Sequence, residues 1–249
     1  MGAPTIVHVL PGDSLVEPFA QARITGEALV CRECLVDGDV QGATLDEVWA
    51  AREAYLSSSY PPKPEGFYRE RVRTPLESLL SLTADSEVNL WFENELFCQV
   101  NLWFCLHLLK GTAASVYRVA PVMATDDDRW GGFCDHENPA LERCFAGRQP
   151  FSDADRRLGA DLWQAYQSGN QDALATLAKT RSPCFPYLDE VVEAAIAVDT
   201  RPAATLKRLI ADGNTEFPDA FRAFCREEAV YGFGDLQVKR LFDAITAAN

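Results

Sequence analysis

Three stretches of this chain end in side chains that do chemistry. The apolar, β-branched run Ile6–Leu10 passes through Pro11-Gly12 into Asp13 and Ser14; "EALVCRE" ends in Arg32 and Glu33; "EVNLWFENELFCQ" delivers Glu93, Asn94, Glu95 and Gln99. A guanidinium holds anions through paired N–H bonds, and a carboxylate serves as base or hydrogen-bond acceptor. Arg32 is therefore expected to hold an anionic group, with Glu33 or Glu95 as base or acceptor. Gln99 lies one helical turn beyond Glu95, on the same face. Asn94 is expected to cap the helix that follows, whose free N–H groups favour an anionic or carbonyl group.

Two other chemistries fit less well. A serine nucleophile needs a positioned base. His8 sits within an apolar run, His107 within a longer one, and only His136, in "CDHENP", sits in an evident loop. Asp13 and Ser14 are accordingly read as a turn and a helix cap. Cys31 and Cys34 have C-x-x-C spacing but no second pair to meet, so no metal-ligand set is expected from them, although Cys134, His136 and Cys144 cluster downstream. Magnesium held through water by Asp13, Glu33, Glu93 and Glu95 is the weaker alternative, since carboxylates at strand ends are usually solvated.

The elements that must position these residues are legible from periodicity. Strands are expected over residues 5–10, 27–31, 87–93 and 114–122, each rich in β-branched or aromatic residues. Between them lie a short, proline-interrupted helix at "LVEPFAQARI" and the helix "TLDEVWAAREAYL", where Thr44 and Glu47 have capping-box spacing. "TPLESLLSLTAD" reads as a helix with proline in its first turn. Leu96 to Leu109 is apolar almost all round, so that helix is buried, and Trp91, Phe92, Phe97, Trp103 and Phe104 read as its core packing. Beyond the irregular loop "ATDDDRWGGFCDHENPA" the pattern is helical, through "DADRRLGADLWQAYQSG", "QDALATLAKT" and "LDEVVEAAIAVD" to three helices after Arg201.

Strand, turn, helix, strand is the unit of a parallel sheet. The fold class expected is α/β: a three-layer, Rossmann-like, mainly parallel sheet with a helical C-terminal region. The organisation expected is an α/β domain with a strand-end crevice over residues 1–125, a loop and helical middle region over 126–199, and a small helical domain over 200–249.

The 249 residues, 47% hydrophobic, suffice for a large core, and the net charge of −14 repels phosphate backbones and anionic lipid. No nucleic-acid partner and no membrane association are expected. No basic segment leading into an apolar one opens the chain, and no apolar run approaches the roughly 20 residues of a membrane span, so a soluble, cytoplasmic protein is expected. The eight cysteines are then reduced thiols serving as small core residues.

Three stretches, "HVLPGDSLVE", "CRECLVDGDV" and "LWFENELFCQVNLWFCL", resemble the bacterial family catalogued as the domain of unknown function numbered eighteen thirty-five. The ending "GFGDLQVKRLFDAI" is similar to the helical domain that often follows it. The resemblance spans about residues 5–125 and 200–245. It matches Gly12, Asp13, Ser14, Glu33, Gly38, Trp91, Glu93, Glu95 and Gln99, with Gly234 and Asp235 in the tail. It implies a fold and a site map but supplies no reaction and no cofactor. Cys98 stands where the family commonly has a second acidic residue.

In an open parallel sheet, ligands bind beyond the carboxyl ends of the strands. The site expected therefore comprises Asp13, Ser14, Arg32, Glu33, Glu93, Glu95 and Gln99, binding a small polar molecule, anionic or nucleotide-like, with an enzyme acting on it as the extension of that reading. Asp13, Glu33, Glu95 and Gln99 are expected to converge on one pocket. The competing reading is a non-catalytic regulatory or assembly protein whose helical tail binds a protein partner.

Overall fold

The computed structural model describes residues 5–133 and 138–247. His136, the loop histidine, lies outside them. Five strands form one sheet in the order β2-β1-β3-β4-β5. β1 (Thr5–Leu10), β2 (Glu27–Val30), β3 (Ser86–Trp91) and β4 (Ser115–Val119) run parallel, and the two-residue β5 (Gln149–Pro150) is antiparallel to β4. The central strand β1 sets Val7 opposite both Glu27 and Val88.

Alternation along the strands separates two cores, one on each face of the sheet. Val7, Val9, Val88 and Leu90 face a large core that includes α2 (Leu45–Ser59), α4 (Leu96–Leu108) and α6 (Asp153–Gln167). There Trp49 meets Phe104 with ring centroids 5.3 Å apart, and Phe104 meets Trp163 at 4.7 Å. Leu10, Trp91 and Val119 face the opposite core with Phe19 of α1 (Val16–Gln21) and Leu141 of α5 (Asn138–Ala146). This is the three-layer α/β arrangement expected.

Local chemistry explains most of the helix ends. The capping box of α2 is present: the Glu47 N–H donates to Thr44 Oγ1 at 3.3 Å, and Glu47 Oε2 accepts from the Thr44 N–H at 3.1 Å. At α4 the cap is Glu95, not Asn94. The Cys98 N–H donates to Glu95 Oε1 at 3.0 Å, whereas the Asn94 amide is drawn away by Arg118 at 2.9 Å and the Arg129 carbonyl at 3.1 Å. The turn after β1 is a 3-10 helix, Asp13–Leu15; Gly12 holds its N-cap position and Leu15 that of α1, and neither of these two residues makes a side-chain cap bond.

The segment expected as one helix from Thr74 is split into α3 (Thr74–Glu77) and a 3-10 turn (Ser78–Ser81), and a wide π turn (Arg69–Arg73) leads into it. Pro75 has no N–H for the Arg71 carbonyl one turn back, and that carbonyl takes Arg32 Nη1 instead, at 3.0 Å. Neither α5 nor β5 was expected from the sequence pattern.

The middle helices α6, α7 (Gln171–Leu177) and α8 (Leu188–Ile196) have no core apart from the sheet's: Leu162, Trp163, Leu174, Val191 and Val192 join the large one. The tail helices α9 (Arg201–Ala211), α10 (Phe217–Glu227) and α11 (Asp235–Ala247) enclose a third core of Leu206, Leu209, Phe224, Val238 and Phe242, while Val230 and Tyr231 reach back into the large one. Among the described residues the cysteines are free and, except for Cys225, buried. No described helix is long and apolar enough to cross a membrane.

Candidate functional site at the strand ends

The strand order places β2 on one side of β1 and β3 on the other, so the chain reverses its direction of winding between β1 and β3. That switch point is where open α/β sheets leave a crevice at their carboxyl ends. Six of the seven residues expected there, Ser14 aside, fall into three hydrogen-bonded groups.

Asp13 and Arg32 form the first. Arg32 Nε lies 3.0 Å from each Asp13 carboxylate oxygen and Nη2 lies 2.7 Å from Oδ1, while Nη1 bonds the Arg71 carbonyl. Of the five guanidinium N–H groups, one on each terminal nitrogen remains unused in these contacts. Arg32 lines a cleft of about 420 Å³ beyond β2, together with Cys34, Tyr60, Lys63, Phe67 and Tyr68. The Lys63 ammonium lies over the Phe67 ring, 5.5 Å from its centroid. Glu53 and Glu65 add carboxylates to the same lining. Ser14 is exposed beside Asp13.

Glu33 belongs to a second, fully buried group and is not available as a base. Its Oε2 accepts from Arg52 Nε and Nη2 and from the Cys34 N–H, each at 3.1 Å, and its Oε1 accepts from the Tyr68 hydroxyl at 2.6 Å. Both side chains of the Glu33–Arg52 ion pair have no solvent exposure. Burial works against the Arg52 charge, but Glu33 outweighs it and holds the guanidinium above its usual range. Burial, reinforced by the Glu33 charge, raises the Tyr68 phenol. Asn101 of α4 secures the loop by donating to the Glu33 carbonyl at 2.9 Å.

A parallel arrangement holds Tyr60. Its hydroxyl donates to Asp37 Oδ2 at 2.6 Å, Arg240 of α11 pairs with the same oxygen, and the Arg240 guanidinium sits 4.7 Å from the Tyr60 ring centroid. Burial pushes the Cys34 thiol, hydrogen-bonded to Tyr60, up to about 12.

Glu93, Glu95 and Gln99 form the third group, with Cys98. Gln99 Nε2 donates to the Glu93 carbonyl at 2.6 Å, and the Cys98 thiol donates to Glu93 Oε2 at 2.9 Å. Burial and the neighbouring Glu93 charge push the Glu95 carboxyl up to about 8. Beneath them, Arg118 is 3% exposed and gives Nη2 to the Glu93 carbonyl at 3.3 Å and to Asn94; burial lowers its guanidinium to about 10. Asp13, Glu33 and the Glu95–Gln99 pair thus bond to three different sets of partners.

His8 is a satisfied core residue. The Trp91 indole N–H, a donor only, donates to Nδ1 at 3.1 Å, which puts the imidazole proton on Nε2, 3.1 Å from the Thr25 carbonyl.

The residues that sequence reasoning missed left faint signals. Arg52 falls on the apolar stripe of α2 with Leu45, Val48, Trp49 and Leu56, a place where a charge needs a partner. Arg118 interrupts β4 on the same face as Val116. Tyr60, Lys63 and Phe67 lie in the proline-rich segment, where no periodicity marks a wall.

The fold and these strand-end groups define an α/β protein with a mainly parallel sheet and a polar crevice. No family model, no curated protein and no solved structure matches the chain.

Proposed function

We propose that the protein binds a small anionic molecule carrying a flat ring, such as a nucleotide or an aryl carboxylate, in the cleft beyond β2. The observation that carries this reading is the pairing of cation and aromatic walls: Arg32, with a side chain 17% exposed, opens into a cleft of about 420 Å³ walled by Tyr60, Phe67 and Tyr68. That size lies within the roughly 300–1,000 Å³ of small-molecule sites. The walls are held before a ligand arrives, because Glu33 fixes Tyr68, Asp37 fixes Tyr60, and Asp13 with the Arg71 carbonyl fixes Arg32. Pre-organisation of this kind saves the ordering cost of binding. Glu33 is then a positioning residue. The net charge of −14 favours a small ligand over a nucleic acid. Kinship with the bacterial family of unknown function belongs to the same proposal, since its matched positions Asp13 and Glu33 are two of these supports.

A ligand that binds only the folded state raises its melting temperature. A thermal-shift panel of nucleoside monophosphates and aryl carboxylates should contain members that stabilise the chain, and Arg32→Gln should abolish the shift while leaving the apo melting temperature within a few degrees. A panel without effect, or shifts that survive Arg32→Gln, would reject the reading.

A further inference from the structure

The cluster beyond β3 uses none of the cleft's residues, and its donor atoms are arranged for a cation. Glu93, Glu95 and Cys98 each offer one ligand atom, and the three atoms lie within 4.8 Å of one another. Backbone N–H groups hold one oxygen of each carboxylate: Phe133 donates to Glu93 Oε1 at 3.2 Å and Cys98 to Glu95 Oε1 at 3.0 Å. The second oxygens are left to the cluster. Glu93 Oε2 takes the Cys98 thiol at 2.9 Å, and Glu95 Oε2 is buried without any hydrogen-bond partner, on a residue only 7% exposed. An acceptor withdrawn from water with no donor is costly, and native structures keep few of them. Gly232, at φ +63°, lets the turn before α11 close over this carboxylate, since a Cβ there would overlap Glu95 Cγ.

We propose that Glu93, Glu95 and Cys98 bind one divalent ion of the zinc class through two carboxylate oxygens and a thiolate, with the fourth position of a tetrahedral site left to water or a further ligand. Zinc takes both donor types at four-coordinate sites, and the sulfur selects against magnesium and calcium. On binding, the metal–sulfur bond replaces the thiol S–H, whose proton leaves to solvent. Three anionic ligands exceed a dication by one negative charge, and the buried Arg118 guanidinium, bonded to the Glu93 carbonyl, balances it. Burial and the Glu93 and Glu95 charges push the free Cys98 thiol well above its usual range, so the cation itself must displace the thiol proton.

The test uses the full chain, dialysed against a chelator and titrated with Co²⁺ as a coloured stand-in, then with Zn²⁺ in competition. The expected result is one equivalent of Co²⁺ with a thiolate charge-transfer band, lost in Cys98→Ser and kept in Cys225→Ser, the exposed thiol serving as control. Glu95→Gln should weaken Zn²⁺ binding by about tenfold or more, the scale seen when even outer-shell partners of a metal are removed. Glu93→Gln serves the same purpose if the Glu95 variant does not fold. Absence of Co²⁺ binding, a band that persists in Cys98→Ser, or Zn²⁺ affinity unchanged in the folded glutamate variants would overturn the assignment. Failure here leaves the cleft reading untouched, because Arg32 and the aromatic walls are not involved.

Discussion

Glu33 has four donors on its two oxygens and a side chain with no solvent exposure, so its charge is held by the fold rather than offered to a substrate. Removing one partner of such a pair leaves an uncompensated buried charge, so Arg52→Met is expected to destabilise the chain by about 3–5 kcal/mol in urea unfolding; a loss under about 1 kcal/mol would mean that the pair is not buried as described. His8 makes a different demand at the same scale. Burial is the main influence on its imidazole and lowers its affinity for a proton; Glu87 opposes that shift and Arg148 adds to it. The unfolded chain therefore takes up a proton near pH 6.5 while the folded chain still resists, so the stability that neutral His8 contributes is complete above that pH and declines below it. Half-buried His107 shifts the same way, through its burial and the neighbouring Lys110 charge. The fall in unfolding free energy between about pH 7 and pH 5 should be shallower in His8→Gln. Equal slopes would contradict the assignment of His8 as a buried neutral group.

At the scale of elements, the site rests on α4, and α4 rests on α6. Gly159 of α6 lies against Leu106 of α4 so closely that a Cβ would overlap the leucine methyl. Overpacking a close-packed core costs about 1–3 kcal/mol, so Gly159→Ala should lower the melting temperature measurably, and Leu106→Val in the same chain should recover part of the loss. An unchanged melting temperature would show that the two helices can separate. The helices easiest to read in the sequence are those whose signals are local: the Thr44–Glu47 box of α2 and the apolar run of α4. Misreadings arose where a distant group decided the outcome. Asn94 is next to a helix start, but Arg118 and the Arg129 carbonyl hold its amide, and the cap passes to Glu95. Pro75 marks a helix start by the usual rule, yet the chain is already helical before it, because Arg32 satisfies the Arg71 carbonyl that the proline cannot. Two residues of β5 are too few to show a period.

Across the whole molecule, the rule that strand ends carry function points to the carboxyl edge of the sheet and leaves the partners of each residue open. Arg32 and Glu33 are adjacent in the chain, yet one opens into the cleft and the other is sealed beneath it, because alternate residues turn to opposite sides and Arg52 waits on only one of them. The aromatic walls come from the Tyr60–Tyr68 segment and one of them is held by Arg240 from the last helix, so the cleft beyond β2 draws on segments some 200 residues apart in the numbering, while the turn at Gly232 covers Glu95 in the separate cluster beyond β3. The measurement that tests this account most directly is a crystal structure of the chain with the member of the nucleoside monophosphate and aryl carboxylate panel that raises its melting temperature furthest. The expected density has the anionic group on the free N–H groups of Arg32 and the ring among Tyr60, Phe67 and Tyr68. Density for that molecule elsewhere, with the cleft beyond β2 holding none, would contradict it.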